Sequence, residues 1–145
     1  MEGFEIIRSS TIDGAFEGFN DQVLLKLIDG SYWVQDEYKY WYHYAYRPGA
    51  VILRGNGKFF IQVDGKSEIV PVREISGVIE SKINDEFTGW EGETTYELNN
   101  GQVWKQSHYK YTYKYAYSPN VLIYNPGGGY IMQAAGTTAK VRRIK

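Results

Sequence analysis

Residues 33–48 read WVQDEYKYWYHYAYRP, and residues 104–119 read WKQSHYKYTYKYAYSP. Over 38–46 and 109–117 tyrosine alternates with another residue, the period of two that marks an extended strand with unlike faces. One face carries Tyr38, Tyr40, Tyr42, Tyr44 and Tyr46, or Tyr109, Tyr111, Tyr113, Tyr115 and Tyr117. The other carries Lys39, Trp41, His43 and Ala45, or Lys110, Thr112, Lys114 and Ala116. Run straight, Trp33 to Tyr46 reaches about 45 Å at about 3.3 Å per residue. A compact unit of about seventy residues is only about 30 Å across, so the segment has to bend. Trp33 and Gln35 stand in odd register and the tyrosines in even register. A bulge or turn at Gln35–Glu37, and again at Gln106–His108, is therefore expected, returning tryptophan and tyrosines to one face. At such a kink the amides of Gln35 and Gln106 are placed to satisfy backbone groups that lose their ladder partners.

The two stretches belong to a longer repeat. An offset of 71 aligns residues 10–65 with 81–136 without a gap and gives 20 identities in 56 pairs. They include Ile12/Ile83, Phe16/Phe87, Gly18/Gly89, Leu27/Leu98, Trp33/Trp104, Gln35/Gln106 and the block from Tyr38/Tyr109 to Pro48/Pro119. An offset of 69 adds Val72-Arg73 against Val141-Arg142. The chain reads as one structural unit written twice, with halves at 1–75 and 76–145. The join is short, so a flexible linker is not expected.

Each half holds short runs rich in Val, Ile, Tyr and Thr, separated by turn residues. Asp29-Gly30 and Asn100-Gly101 suggest two-residue hairpin turns, as does the pairing of runs on either side. Asn56-Gly57 and Gly127-Gly128-Gly129 mark further reversals. No stretch keeps an apolar 3.6 period with caps. The expected fold is all-β, two tandem small SH3-like antiparallel barrels related by internal duplication. The rival is one larger sandwich or barrel built jointly from both halves.

The run NNGQVWKQSHYKYTYKYAYSP (residues 99–119), followed by NPGGGYIM (125–132), resembles a family of uncharacterised bacterial tandem repeats with a W-x-Q-x2-Y-x-Y-x-Y-x-Y-x-Y signature. The first half departs from it, with DGSYWVQDEYKYWYHYAYRP and no triple glycine. Members are sometimes fused to ATP-binding or helicase-related proteins, so the resemblance implies at most an accessory role. It implies a fold and no activity.

Composition narrows the function classes. Net charge is −1, and cysteine is absent, which removes disulfides and thiolate chemistry. Residues 1–72 carry 7 basic and 10 acidic side chains and residues 73–145 carry 9 and 7, so neither half has the basic balance of a dedicated nucleic-acid binder. No apolar run approaches membrane-spanning length and the N-terminus lacks a signal pattern, so a soluble cytoplasmic protein is expected. The two histidines, His43 and His108, do not correspond between the halves, and two histidines without cysteine make a poor zinc set. Glu86, Glu91, Glu93 and Glu97 lack acidic counterparts and read as a solvated strand face. The triple glycine lacks the Lys-Ser/Thr of a phosphate loop. No catalytic residue, cofactor or metal is expected.

What remains is the aromatic content, 17% with fourteen tyrosines. The tyrosines can supply core volume, as a wall of rings with wet hydroxyls. They can equally form a partner surface, whose candidates are Trp33, Tyr38, Lys39, Tyr40, Tyr42 and Tyr44 in one half and Trp104, Tyr109, Lys110, Tyr111, Tyr113 and Tyr115 in the other. The expected partner is a protein or an extended peptide. Single-stranded nucleic acid stacked on the rings is the alternative, with sugars a third class. No membrane association is expected.

Overall fold

The computed structural model describes residues 3–145. These contain sixteen strands and no helix. They divide into two compact units, Met1–Ser76 and Gly77–Lys145.

The N-terminal unit holds β1 (Glu5–Thr11), β2 (Ala15–Phe16), β3 (Leu24–Lys26), β4 (Tyr32–Gln35), β5 (Ala45–Tyr46), β6 (Gly49–Gly55), β7 (Lys58–Val63) and β8 (Ile69–Ile75). Six of them form an antiparallel sheet in the order β1-β6-β7-β8-β4-β3, and β2 and β5 form a separate two-stranded ribbon. The C-terminal unit holds β9 (Ile79–Lys82), β10 (Glu86–Glu91), β11 (Thr95–Glu97), β12 (Val103–Gln106), β13 (Tyr111–Tyr117), β14 (Asn120–Tyr124), β15 (Tyr130–Ala134) and β16 (Thr137–Arg143). Its sheet runs β9-β14-β15-β16-β12-β11, with β10 and β13 as the ribbon. The strand order is thus the same in both units. Equivalent positions also pair: Gln35 sits opposite Val72, and Gln106 opposite Val141.

Alternation along the strands sorts side chains into each unit's core. In the N-terminal unit Ile12, Phe16, Phe19, Leu25, Leu27, Trp33, Ile52, Ile61, Val63, Val70 and Val72 are buried together. In the C-terminal unit the corresponding set includes Ile83, Phe87, Trp90, Tyr96, Leu98, Trp104, Val121, Ile123, Met132 and Val141. Both cores take residues from sheet and ribbon, so the ribbon is the lid that closes the apolar face of the sheet. Trp33 meets Phe59 edge-on with ring centres 5.6 Å apart, and Trp104 meets Tyr130 in the same way at 5.2 Å. Phe87, Trp90 and Tyr96 form an edge-to-face cluster in the second core.

Turn chemistry departs from expectation at two equivalent sites and matches it at a third. Leu27 N bonds Ser31 O and Gly30 N bonds Leu27 O, so residues 28–30 form a three-residue loop. Gly30 has φ +88° while Asp29 is not in the left-handed region. This is the glycine-bulge hairpin, and not the two-residue turn inferred from Asp-Gly, which needs positive φ at both centres. Asn100-Gly101 repeats it, with Leu98 N bonded to Gln102 O. The side chains explain the choice: Asp29 Oδ1 accepts from Ser31 N, and Asn100 Oδ1 from Gln102 N, a local bond that stabilises the looser loop. Asn56-Gly57, at φ 53° and 73° between the paired Gly55 and Lys58, is the two-residue turn.

The ribbon depends on a glycine in each unit. Gly18 (φ +97°) and Gly89 (φ +100°) lie against the backbone of the tyrosine strand. A Cβ on Gly18 collides with the Trp41 carbonyl and lies 2.9 Å from His43 N; on Gly89 it collides with the Thr112 carbonyl and lies 2.8 Å from Lys114 N. The ribbon register shifts between Phe87 and Gly89, so Gly89 sits at a bulge.

Gly89→Ala should destabilise the chain by about 2–4 kcal/mol, combining strain at positive φ with backbone collision. Gly14→Ala, at φ +98° with open space around its Cβ, should cost only about 1–2 kcal/mol. Urea unfolding of the two variants separates strain from collision. Equal costs contradict the close approach.

Candidate functional site

The segment that starts with Trp33 leaves the sheet at Gln35. Strand β4 ends there; Asp36 N still reaches Pro71 O at 2.8 Å, and pairing then passes to the ribbon side, where Lys39 N bonds Asn20 O at 3.3 Å and Phe19 and Trp41 exchange backbone bonds of 2.7 and 3.1 Å. The expected break lies where the parity of the residues put it. Its consequence differs from the expectation: tryptophan and tyrosines do not share a face. Trp33 and Trp104 are 2% and 1% exposed, whereas the ten ladder tyrosines are 51–81% exposed. The tryptophan register stays inward on both sides of the glutamine, as Trp33 and Trp41 show, and the tyrosine register faces outward in both units. Tyrosines as core volume or barrel wall are therefore excluded, and Trp33 and Trp104 leave the candidate surface because they fill the cores. Core contact on the ribbon comes from the opposite register. Trp41 stacks on Phe19 at 5.9 Å and on His43 at 5.1 Å, and Ala116 packs on the second core.

Gln35 and Gln106, both 2% exposed, hold the break together. Gln35 Nε2 donates to Asn20 O (2.6 Å), Glu37 O (2.9 Å) and Lys39 O (3.2 Å), while its Oε1 accepts from Asn20 N (3.2 Å) and Val23 N (3.5 Å). One amide therefore replaces the ladder for both strands that flank it. Gln106 Nε2 repeats part of this, donating to His108 O (3.1 Å) and Lys110 O (2.8 Å). Its Oε1 is buried without a hydrogen-bond partner among the described residues. Such an orphaned acceptor costs about 1–3 kcal/mol. A cleft of about 370 Å³ lies beside it, lined by Glu91, Gly92, Glu93, Gln106, Ser107 and Tyr109.

The lysines do not join the tyrosines. Lys39 Nζ pairs with Glu68 Oε2 at 2.5 Å, and Lys110 Nζ donates to Thr138 O at 2.6 Å. Burial holds the Lys110 ammonium below its usual pKa. Both belong to the non-tyrosine register and are occupied there. The charges that do share the tyrosine face are carboxylates. Across the C-terminal ribbon Glu86 sits opposite Tyr117 and Glu91 opposite Tyr111, and directly opposed residues in an antiparallel pair project to the same side. Tyr115 Oη donates to Glu86 Oε1 at 3.2 Å, and its phenol is raised by desolvation first and by the Glu86 charge second. Reading these glutamates as a solvated strand face agrees with their exposure. That they share the face of the tyrosines was hidden, because cross-strand register is not written in one strand's sequence.

His43 Nε2 lies 3.3 Å from Asp64 Oδ2, and His108 meets Gln106 through its backbone carbonyl, so the two histidines stand in unrelated settings. Among the described residues no group of three or more His, Cys, Asp or Glu is arranged to hold a metal, and no helix is long and apolar enough to cross a membrane. No family model matches the chain, and neither does any curated protein or solved structure.

Replacing Gln35 with Leu leaves Glu37 O, Lys39 O and two N–H groups to find new partners, while Asn20 O keeps Lys39 N, and should cost about 2–4 kcal/mol. Gln106→Leu breaks two bonds and removes an orphaned oxygen, so its cost should be smaller by at least about 1 kcal/mol. Urea unfolding of the full chain, with amide exchange to assign the loss to a unit, measures both; equal costs contradict the unequal satisfaction of the two amides.

Tyr96 gives a pH prediction. Its hydroxyl donates to Gly89 O at 2.7 Å, and burial pushes the phenol up to about 12. A raised folded-state pKa contributes stability that is complete below the ordinary tyrosine value near 10 and is lost as pH rises through about 12. Tyr96→Phe should be less stable at neutral pH by about 1 kcal/mol through loss of the hydrogen bond. It should also show a flatter stability profile between about pH 10 and 12. Thermal unfolding across that range tests this, and an unchanged slope rules it out.

Proposed function

We propose that this chain is a non-catalytic interaction module of the cytoplasm, two SH3-like barrels related by internal duplication, that binds an extended segment of a protein or peptide along its tyrosine faces. The observation that carries the reading is the exposure of all ten ladder tyrosines in a protein whose cores are already filled by other residues. A core requirement does not account for these rings. Large exposed aromatic patches mark interaction sites in soluble proteins, and tyrosine offers much rigid contact area with a polar tip at low entropic cost. The 20 identities in 56 aligned pairs and the common strand order support the duplication.

The charge on the face favours a peptide over a nucleic acid. Phosphate-binding proteins gain affinity by neutralising the backbone with Lys and Arg. Here Lys39 and Lys110 are engaged elsewhere, and Glu86 and Glu91 stand beside the rings. A partner that is neutral or cationic suits such a surface.

Selection from a displayed peptide library on the full chain should enrich a common sequence class. A variant with Tyr42, Tyr44, Tyr113 and Tyr115 each changed to Thr, which keeps strand preference, should fold as before and bind the enriched peptides at least about tenfold more weakly, about 1.4 kcal/mol. No enrichment, or enrichment indifferent to the four changes, contradicts the reading. Single-stranded DNA binding that needs the same tyrosines and falls steeply between about 50 and 200 mM salt would replace the peptide with nucleic acid.

A further inference from the structure

The two glutamine amides are equivalent in sequence and unequal in their bonding. Gln35 Oε1 is turned to the loop at residues 20–23 and takes the N–H groups of Asn20 and Val23. The corresponding loop, 91–94, is built differently. The left-handed residue of the first loop is Gln22, whereas in the second it is Gly92, one position earlier in the alignment. Gly92 N is spent on Lys110 O at 3.2 Å, and Gln106 Oε1 receives nothing. The 91–94 loop still lies against the glutamine, since Gln106 N bonds Thr94 O at 2.9 Å just as Gln35 N bonds Val23 O. Gln106, the residue with the unpartnered oxygen, lines the cleft that this loop walls, and the oxygen itself is buried beneath the surface.

The remaining lining is acidic and aromatic. Glu91 and Glu93 are exposed carboxylates on the loop, Glu91 Oε1 also accepting from Thr88 Oγ1 at 3.1 Å, and Ser107 adds a hydroxyl. The Tyr109 ring closes the end: a Cβ on Gly92 would stand 3.2 Å from its Cε2, so the ring rests directly on a backbone that only glycine leaves open. Lys110 Nζ, the ladder cation that follows Tyr109 in the chain, is tied to Thr138 O. Carboxylate acceptors, their negative charge and an aromatic face line one small volume. A planar cation with several N–H donors satisfies all three demands, since it forms forked bonds to carboxylates and stacks on rings.

We propose that this cleft is a guanidinium-binding site, which seats an arginine side chain of the peptide that runs along the C-terminal tyrosine face. The proposal rests on the peptide reading for its biological source. The site itself concerns only the chemistry of the cleft. Tyr109 is the first ladder tyrosine and Glu91 lies opposite Tyr111, so the cleft opens at one end of the aromatic face. An arginine held there anchors the peptide and sets its direction.

The test uses N-acetyl-arginine amide as probe on the full chain, with amide resonances of Gly92, Glu93 and the Gln106 side chain followed by NMR. Saturable shifts at these groups are expected. The neutral isostere N-acetyl-citrulline amide should bind at least tenfold more weakly. The double variant Glu91→Gln, Glu93→Gln, altered only at exposed positions, should lose at least tenfold in affinity for the arginine probe while keeping its fold. Absence of saturable shifts, or equal binding of arginine and citrulline probes, overturns the site. Library peptides that bind the tyrosine face with no dependence on arginine also overturn it and leave the peptide reading standing. Saturable, charge-dependent arginine binding with no peptide enriched keeps the site and removes that reading.

Discussion

A single buried amide at the end of β4, and its counterpart at the end of β12, is the constraint from which each unit's arrangement follows. A strand that leaves a sheet abandons its ladder partners, and buried backbone groups must find others. Gln35 offers its two N–H donors to three carbonyls and its oxygen to two backbone N–H groups at the point of departure. With that cost met, the chain can turn from the six-stranded sheet into the ribbon, and the ribbon can close over the sheet's apolar side. Parity is kept across the turn: Trp33 before it and Trp41 after it stand in one register and both meet the core. Tryptophan before it points in; tyrosine after it points out.

Much of the fold was legible in residues 33–48 and 104–119. The period of two gave strands, the excess length gave a break, and the clash between odd tryptophan and even tyrosine located it at the glutamine. What the parity could not give was the sense of the break. A bulge inside one strand and a transfer to a second sheet both fit the same sequence, and they send the tyrosines to opposite sides. Only Phe16, Phe19 and Trp41 together show that the ribbon has its own apolar register, and they lie on different strands. The turns failed for a smaller reason. Asp29 and Asn100 each bond the amide two residues on, which favours a three-residue loop over the two-residue turn that the dipeptide suggests.

The candidate site was half visible. Ten tyrosines announced a surface or a wall, and the structure assigns them to the surface. Lys39 and Lys110 looked like part of it because they interleave with the rings, yet interleaving in a strand means the opposite face. The carboxylates that do accompany the rings reside on the neighbouring strand, beyond the reach of one-dimensional reading. The unequal bonding of Gln35 and Gln106 was equally hidden, since the difference arises in the loops at 20–23 and 91–94, whose residues are unlike.

The strand order has a consequence for how the chain reaches this state. The β6–β7 hairpin, closed by Asn56-Gly57, joins residues that are neighbours along the chain, and it can form at little entropic expense. Pairing β4 with β8 brings Gln35 to Val72, across about half the length of the unit. Loop closure over such separations comes before any reward from contact, and topologies dominated by it assemble in milliseconds to seconds rather than microseconds. The central hairpin is thus the natural seed, and the glutamine junction closes late. Until it does, the aromatic lid has no fixed seat, and the apolar side of the nascent sheet stays open to other chains.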